Sequence, residues 1–147
     1  MGQRGTSLKP SPDGLCVLGF LSQRTREAVP VATKDPREPF TRLSIEEAKE
    51  KLDSGDAVMV DVRDPHEYVE VHAKGVRLIP VNTVMNELDQ IREFAGDKQE
   101  VLFICKMGGR SALAAEYATA AGLDELELFN VEGGTDAWAE AGFPTGD

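Results

Sequence analysis

Cys105 closes an apolar run, 100–105, and is followed by Lys106, Met107, a glycine pair at 108 and 109, then Arg110 and Ser111. A cysteine that ends a strand is commonly a packing residue. Three features beside this one point instead to a nucleophile. The glycines allow a tight turn that aims several backbone N–H groups at one point. A helix expected to open within six residues adds its free N–H groups and partial positive charge. Lys106 and Arg110 add full charges. Thiols in such surroundings titrate at roughly 3.5–7.5 instead of about 8.5, so Cys105 is expected to be a thiolate at neutral pH. His66 and His72 belong to a different segment, after "DVR". The context therefore suggests an electrophile that needs no general base, not a Cys–His hydrolase.

The elements that must hold this loop are legible from hydrophobic pattern and caps. Ser44, with Glu47 three residues on and Gly55 at the far end, predicts a helix over "SIEEAKEKLDSG". "AVMVDV" (57–62), "EVLFIC" (100–105) and "ELELFNV" read as long strands buried on both faces, and "RLIPV" as a brief one stopped by Pro80. Pro65 opens a short helix. Val84, Leu88 and Ile91 mark one amphipathic helix over "NTVMNELDQIREFAG". "RSALAAEYATAAG" predicts a helix stopped at Gly122, and "GTDAWAEAG" a last short one. Strands alternating with helices imply an α/β fold, a parallel sheet covered on both faces, with ligands bound beyond the carboxyl ends of the strands. Three segments then share one edge: Asp61-Val62-Arg63, Cys105 to Arg110, and Asn130 to Gly134.

Composition narrows the function classes. The chain has 147 residues, 41% of them hydrophobic, enough for one domain with its own core. Residues 1–40 carry six Lys/Arg against four Asp/Glu; the remainder carries ten against 22. So acidic a domain is a poor non-specific ligand for nucleic acid or anionic membrane, and neither is expected as a partner. The longest N-terminal apolar stretch, "LCVLGFL", is too short to span a membrane and lacks a signal-peptidase site. Two cysteines, 16 and 105, form no disulfide framework and no zinc spacing, which favours a reducing, cytoplasmic setting without metal or cofactor. Residues 1–39 are rich in proline and charge without sustained period. They are expected to form a flexible extension before a domain spanning 40–147.

The motifs, in their order along 41–147, resemble a single-domain rhodanese, the sulfurtransferase homology domain. The likeness rests on Asp-Val-Arg and Glu-Tyr in the first half, "CKMGGRS" in the loop, and "VEGGTDAWAEAGFP" at the end. "VHAKGV" departs from the family around its histidine, where a local change of shape is expected. The resemblance implies a persulfide relay. Cys105 takes a sulfane sulfur from a small anionic donor such as thiosulfate and passes it to cyanide, a thiol or a protein acceptor. It implies that Lys106, Met107, Gly108, Gly109, Arg110 and Ser111 line the substrate loop, and that Asp61 and Arg63 are structural support. Trp138 is expected to anchor the last helix in the core. Two alternatives remain open at this stage. One is a sulfur carrier or regulatory binding module of the same fold with little thiosulfate turnover. The other is a cysteine phosphatase or arsenate reductase; there the usual Cys-x5-Arg loop is one residue longer than the six residues from Cys105 to Arg110.

Overall fold

The three long apolar runs form the centre of a sheet whose composition explains its topology. The computed structural model describes residues 32–146. Among them, β1 (Thr33–Lys34), β2 (Thr41–Leu43), β3 (Ala57–Asp61), β4 (Arg77–Leu78), β5 (Glu100–Ile104) and β6 (Glu127–Val131) make one six-stranded sheet, ordered β1-β2-β6-β5-β3-β4. All neighbours are parallel except β1 and β2. The fold is the expected mixed α/β architecture. Of the expected extension, residues 1–31 lie outside the described residues, as does Cys16; Thr33–Lys34 supplies the antiparallel edge strand.

Among the described residues, α1 (Ile45–Ser54), α2 (Pro65–Glu70), α3 (Leu88–Ala95) and α4 (Gly109–Ala120) join successive strands from β2 to β6, and α5 (Gly134–Glu140) follows β6. Alternate residues of the central strands feed two cores. Val60, Val101, Phe103 and Leu128 pack with Ile91 of α3 and Ala114, Ala115 and Ala118 of α4. Met59, Leu102, Ile104 and Phe129 pack with Ile45 and Ala48 of α1 and Trp138 of α5. Period-two burial on both faces is why these strands read as continuous apolar runs. Cys105 extends the row of Val101 and Phe103 on the α3–α4 side.

The end signals act as read. Ser44 Oγ accepts from Glu47 N at 3.1 Å while Glu47 Oε1 accepts from Ser44 N at 3.0 Å. The α4 chain reverses after Ala121, where Leu123 N donates to Ala118 O at 2.9 Å. One helix differs from expectation. The pattern through Val84, Leu88 and Ile91 is not one helix but a 3₁₀ turn, Val81–Asn86, followed by α3, with Glu87 between them at φ −121°. Pro80 fixes the entry, and Thr83 binds back to its carbonyl through both N (2.9 Å) and Oγ1 (2.8 Å). Asn82, Thr83 and Asn86 favour such local bonds over an α-helical interior. Val84, Leu88 and Ile91 are nevertheless all buried in the same core.

Candidate active site

The chain leaves β3 outward to β4, then returns to β5 on the other side of β3 and continues to β6. The direction of winding therefore reverses between β3 and β5, where open α/β sheets leave a crevice beyond the strand ends. Register places the three expected segments there. Asp61 pairs with Ile104 and Phe103 with Asn130, and Val62 N donates to Ile104 O at 2.9 Å. Cys105 is the next residue beyond this level.

Glycines let the loop after β5 close on the sulfur. Gly108 has φ +120°, a backbone state that side chains rarely adopt, and its N–H lies 3.0 Å from Cys105 Sγ. Ser111, in the first turn of α4, lies with Oγ 3.4 Å from the sulfur and 3.1 Å from Gly108 O. The outer side of the loop hangs on the start of α5. Thr135 N donates to Cys105 O at 2.8 Å and Asp136 N to Lys106 O at 3.1 Å. This approach needs Gly134, because a Cβ there would lie 2.4 Å from Lys106 O. Cys105 is 1% exposed. Burial alone pushes its thiol up, but the Ser111 hydroxyl and the N–H groups of Ser111, Gly108 and Met107 outweigh it and hold the thiol below its ordinary value. The arrangement stabilises a thiolate.

Both expected loop cations are paired. Arg110 meets Glu67 of α2 through two bonds, 2.7 and 2.9 Å, and Lys106 meets Asp136 at 2.9 and 3.1 Å. Arg110, more than burial, sets the Glu67 carboxyl, lowering it from 4.5 to about 2. Met107 projects from the loop, 69% exposed. Asp61 and Arg63 form a buried pair, with Nη2 2.8 Å from Oδ2, and the same nitrogen donates to Val71 O at 2.6 Å. That geometry braces the departing chain after β3. Trp138 is buried and donates to Pro144 O at 2.7 Å. Asp64, His66 and Glu67 bring one ligand atom each within 4.8 Å of one another. Both Glu67 oxygens already accept from Arg110, so the cluster is an ion-pair rim and not a cation cage.

Sequence reasoning placed Cys105 through Ser111 together but missed three partners. Glu67 reads as a neighbour of Arg63, yet it pairs with Arg110, 43 positions away. Asp136, in the first turn of α5, and Asn130, near the end of β6, carry no local signal of these pairings. Asn130 is fully buried, its Oδ1 accepts from Ser111 Oγ, and its Nδ2 donates to Glu132 Oε2 at 2.5 Å.

The family model for the rhodanese-like domain matches residues 44–141, and the chain belongs to that family. Solved structures agree. A rhodanese-related protein from Thermoplasma volcanium is 27% identical, with TM-score 0.61, over 71% of this chain and 96% of that one. A protein from Rhodopseudomonas palustris described as of unknown function, possible tyrosine phosphatase, is 33% identical, with TM-score 0.61, over 70% and 82%. A thiosulfate sulfurtransferase from Pseudomonas aeruginosa is 26% identical, also at 0.61, over 71% of this chain but 20% of its own. Among the described residues, no helix is long and apolar enough to cross a membrane.

Proposed function

We propose that this protein is a sulfurtransferase that carries a sulfane sulfur on Cys105. The observation that carries the reading is the seating of Sγ, 3.0 Å from Gly108 N within a six-residue loop, with its acidity raised by hydrogen bonds. In the first step the thiolate attacks the outer sulfur of a donor such as thiosulfate. A new S–S bond forms to Sγ, the old one breaks, and its electron pair leaves on sulfite. In the second step an acceptor, cyanide in an assay or a thiol, attacks the outer sulfur of the persulfide. The electron pair of the Cys105 S–S bond returns to Sγ, restoring the thiolate. No oxidant and no cofactor enters the balance. Loop N–H groups stabilise the anionic sulfur at each stage.

The phosphatase reading is less well supported. Binding a phosphoryl group would call on the arginine at the loop's end, and both Arg110 Nη atoms are committed to Glu67. The pairing of Arg110 and Lys106 with carboxylates also favours a variant of the same chemistry, a sulfur carrier with little thiosulfate turnover that receives its sulfur from another persulfide. A cytoplasmic, reducing setting suits either form.

The test is intact mass after incubation with thiosulfate, and separately with a low-molecular-weight persulfide. A gain of about 32 mass units, removed by cyanide as thiocyanate and absent in Cys105→Ser, is the expected result. An adduct only from the persulfide selects the carrier form. No adduct from either donor overturns the proposal.

A further inference from the structure

The hydroxyl of Ser111 has one proton and three acceptors within reach. They are Cys105 Sγ at 3.4 Å, Gly108 O at 3.1 Å and Asn130 Oδ1. Which way the Asn130 amide faces is set from behind. Its Nδ2 donates to Glu132 Oε2, and a carboxylate accepts only, so Oδ1 must turn toward Ser111. Glu132 is itself held by Arg42 of β2, at 3.1 and 3.2 Å. A chain of fixed polarity thus runs from Arg42 of β2 to within one hydroxyl of the sulfur.

We propose that Asn130, oriented by Glu132, is a positioning residue that competes with Cys105 for the Ser111 proton and so sets how readily the sulfur ionises. In the thiol state the S–H donates to Ser111 Oγ, and Ser111 donates to Asn130. When the thiol proton leaves to water, the thiolate demands a donor, and the Ser111 hydroxyl rotates to supply it. Asn130 Oδ1 then loses its partner inside a fully buried site. Ionisation therefore costs the Ser111–Asn130 bond, and removing Asn130 Oδ1 makes the sulfur easier to ionise. Gly108 O remains as a second competitor, so the effect is partial.

The charges facing this arrangement do not reproduce that pattern. Lys106 of the loop is tied to Asp136 of α5, and Arg110 of α4 to Glu67 of α2, with Asp64 beside it. Glu132, past β6, is tied to Arg42. Each acts on the sulfur through space, whether or not Ser111 carries a hydroxyl. Asn130 has no charge, and its influence requires that hydroxyl.

The experiment measures the pH midpoint of Cys105 alkylation by iodoacetamide in the full chain, read at the Cys105 peptide by mass spectrometry. Ser111→Ala should raise the midpoint, and Asn130→Ala should lower it. At a pH below the midpoint, a lost charge-assisted bond corresponds to about tenfold less thiolate, and relief of the competition to about threefold more. Glu132→Gln should also lower the midpoint, because a glutamine amide no longer dictates which end of Asn130 faces Ser111. Its side chain is 43% exposed, so this variant keeps the test alive if the buried Asn130 variant fails to fold. Combined with Ser111→Ala, the Asn130→Ala shift should vanish and the Glu132→Gln shift should shrink to what its lost charge contributes through space. Midpoints that stay put or rise in Asn130→Ala and Glu132→Gln would overturn the proposal. So would downward shifts that persist undiminished without the Ser111 hydroxyl, which would mean charge or packing. The inference takes its significance from the sulfurtransferase reading, but its readout is ionisation. A missing persulfide adduct with the double-mutant pattern intact would refute only that reading.

Discussion

Replacing Gly134 by alanine adds one carbon at φ +60°, and that carbon would lie 2.4 Å from the carbonyl oxygen of Lys106 and 2.5 Å from that of Cys105. Ordinary contact begins at 3.4 Å, so loop and helix must part by about 1 Å. The obstacles are backbone atoms on the loop that carries Cys105, and no rotamer change relieves them. Separation also stretches the bonds from Thr135 N to Cys105 O and from Asp136 N to Lys106 O, now 2.8 and 3.1 Å. Two such bonds are worth about 1 kcal/mol each, and left-handed backbone costs a non-glycine residue about 1–2 kcal/mol. The expected loss of stability is about 3–4 kcal/mol, a large share of the roughly 5–15 kcal/mol typical of a domain. Gly75→Ala is the control: φ is +86° and nothing lies within 4 Å of where its Cβ would sit, so only the backbone cost applies. Urea unfolding of both variants isolates the clash as a difference of about 2 kcal/mol. A 1 Å misplacement of a reacting group costs on the order of 10²-fold in rate, so sulfur transfer should fall about that much in Gly134→Ala and little in Gly75→Ala. Equal unfolding midpoints and equal transfer rates for the two variants would refute the claim that α5 holds the loop in place.

Two further predictions concern charge. The Glu67 carboxyl is lowered from 4.5 to about 2 in the folded chain, chiefly by Arg110, so its contribution is present above pH 4.5 and lost as pH falls toward 2. Glu67→Gln should remove about 1–2 kcal/mol at neutral pH, after allowance for partial exposure, and flatten that part of the acid-unfolding curve; an unchanged acid limb would contradict the pairing. Asp61→Ala strands Arg63, which is 4% exposed, and should cost about 3–5 kcal/mol by urea unfolding, whereas a cost under 1 kcal/mol would show the pair to be solvated.

What could be read from the chain alone was local or periodic. Ser44 with Glu47, and Gly122 after the alanine-rich stretch, mark helix ends because a cap is made within a few residues. The runs 57–62 and 100–105 mark central strands because burial on both faces demands apolar residues at every position. Parallel order then brings the strand ends to one edge, which sets Cys105 beside Asp61 and Asn130 from the sequence pattern alone. The helix drawn through Val84, Leu88 and Ile91 failed for the converse reason. Apolar spacing reports which face is buried, and a 3₁₀ turn followed by α3 buries the same three side chains. The partners of the loop were decided by tertiary structure alone. Glu67 reaches Arg110, Asp136 reaches Lys106, and Asn130 reaches Ser111 across 43, 30 and 19 positions. A carboxylate or amide is equally at home in solvent, so its type and place in the sequence carry no trace of the pairing. Sequence thus determined where Cys105 stands and what surrounds its sulfur locally. Only the packing of α2, α5 and β6 around the loop decided which of its cations are neutralised and where the Ser111 proton can go.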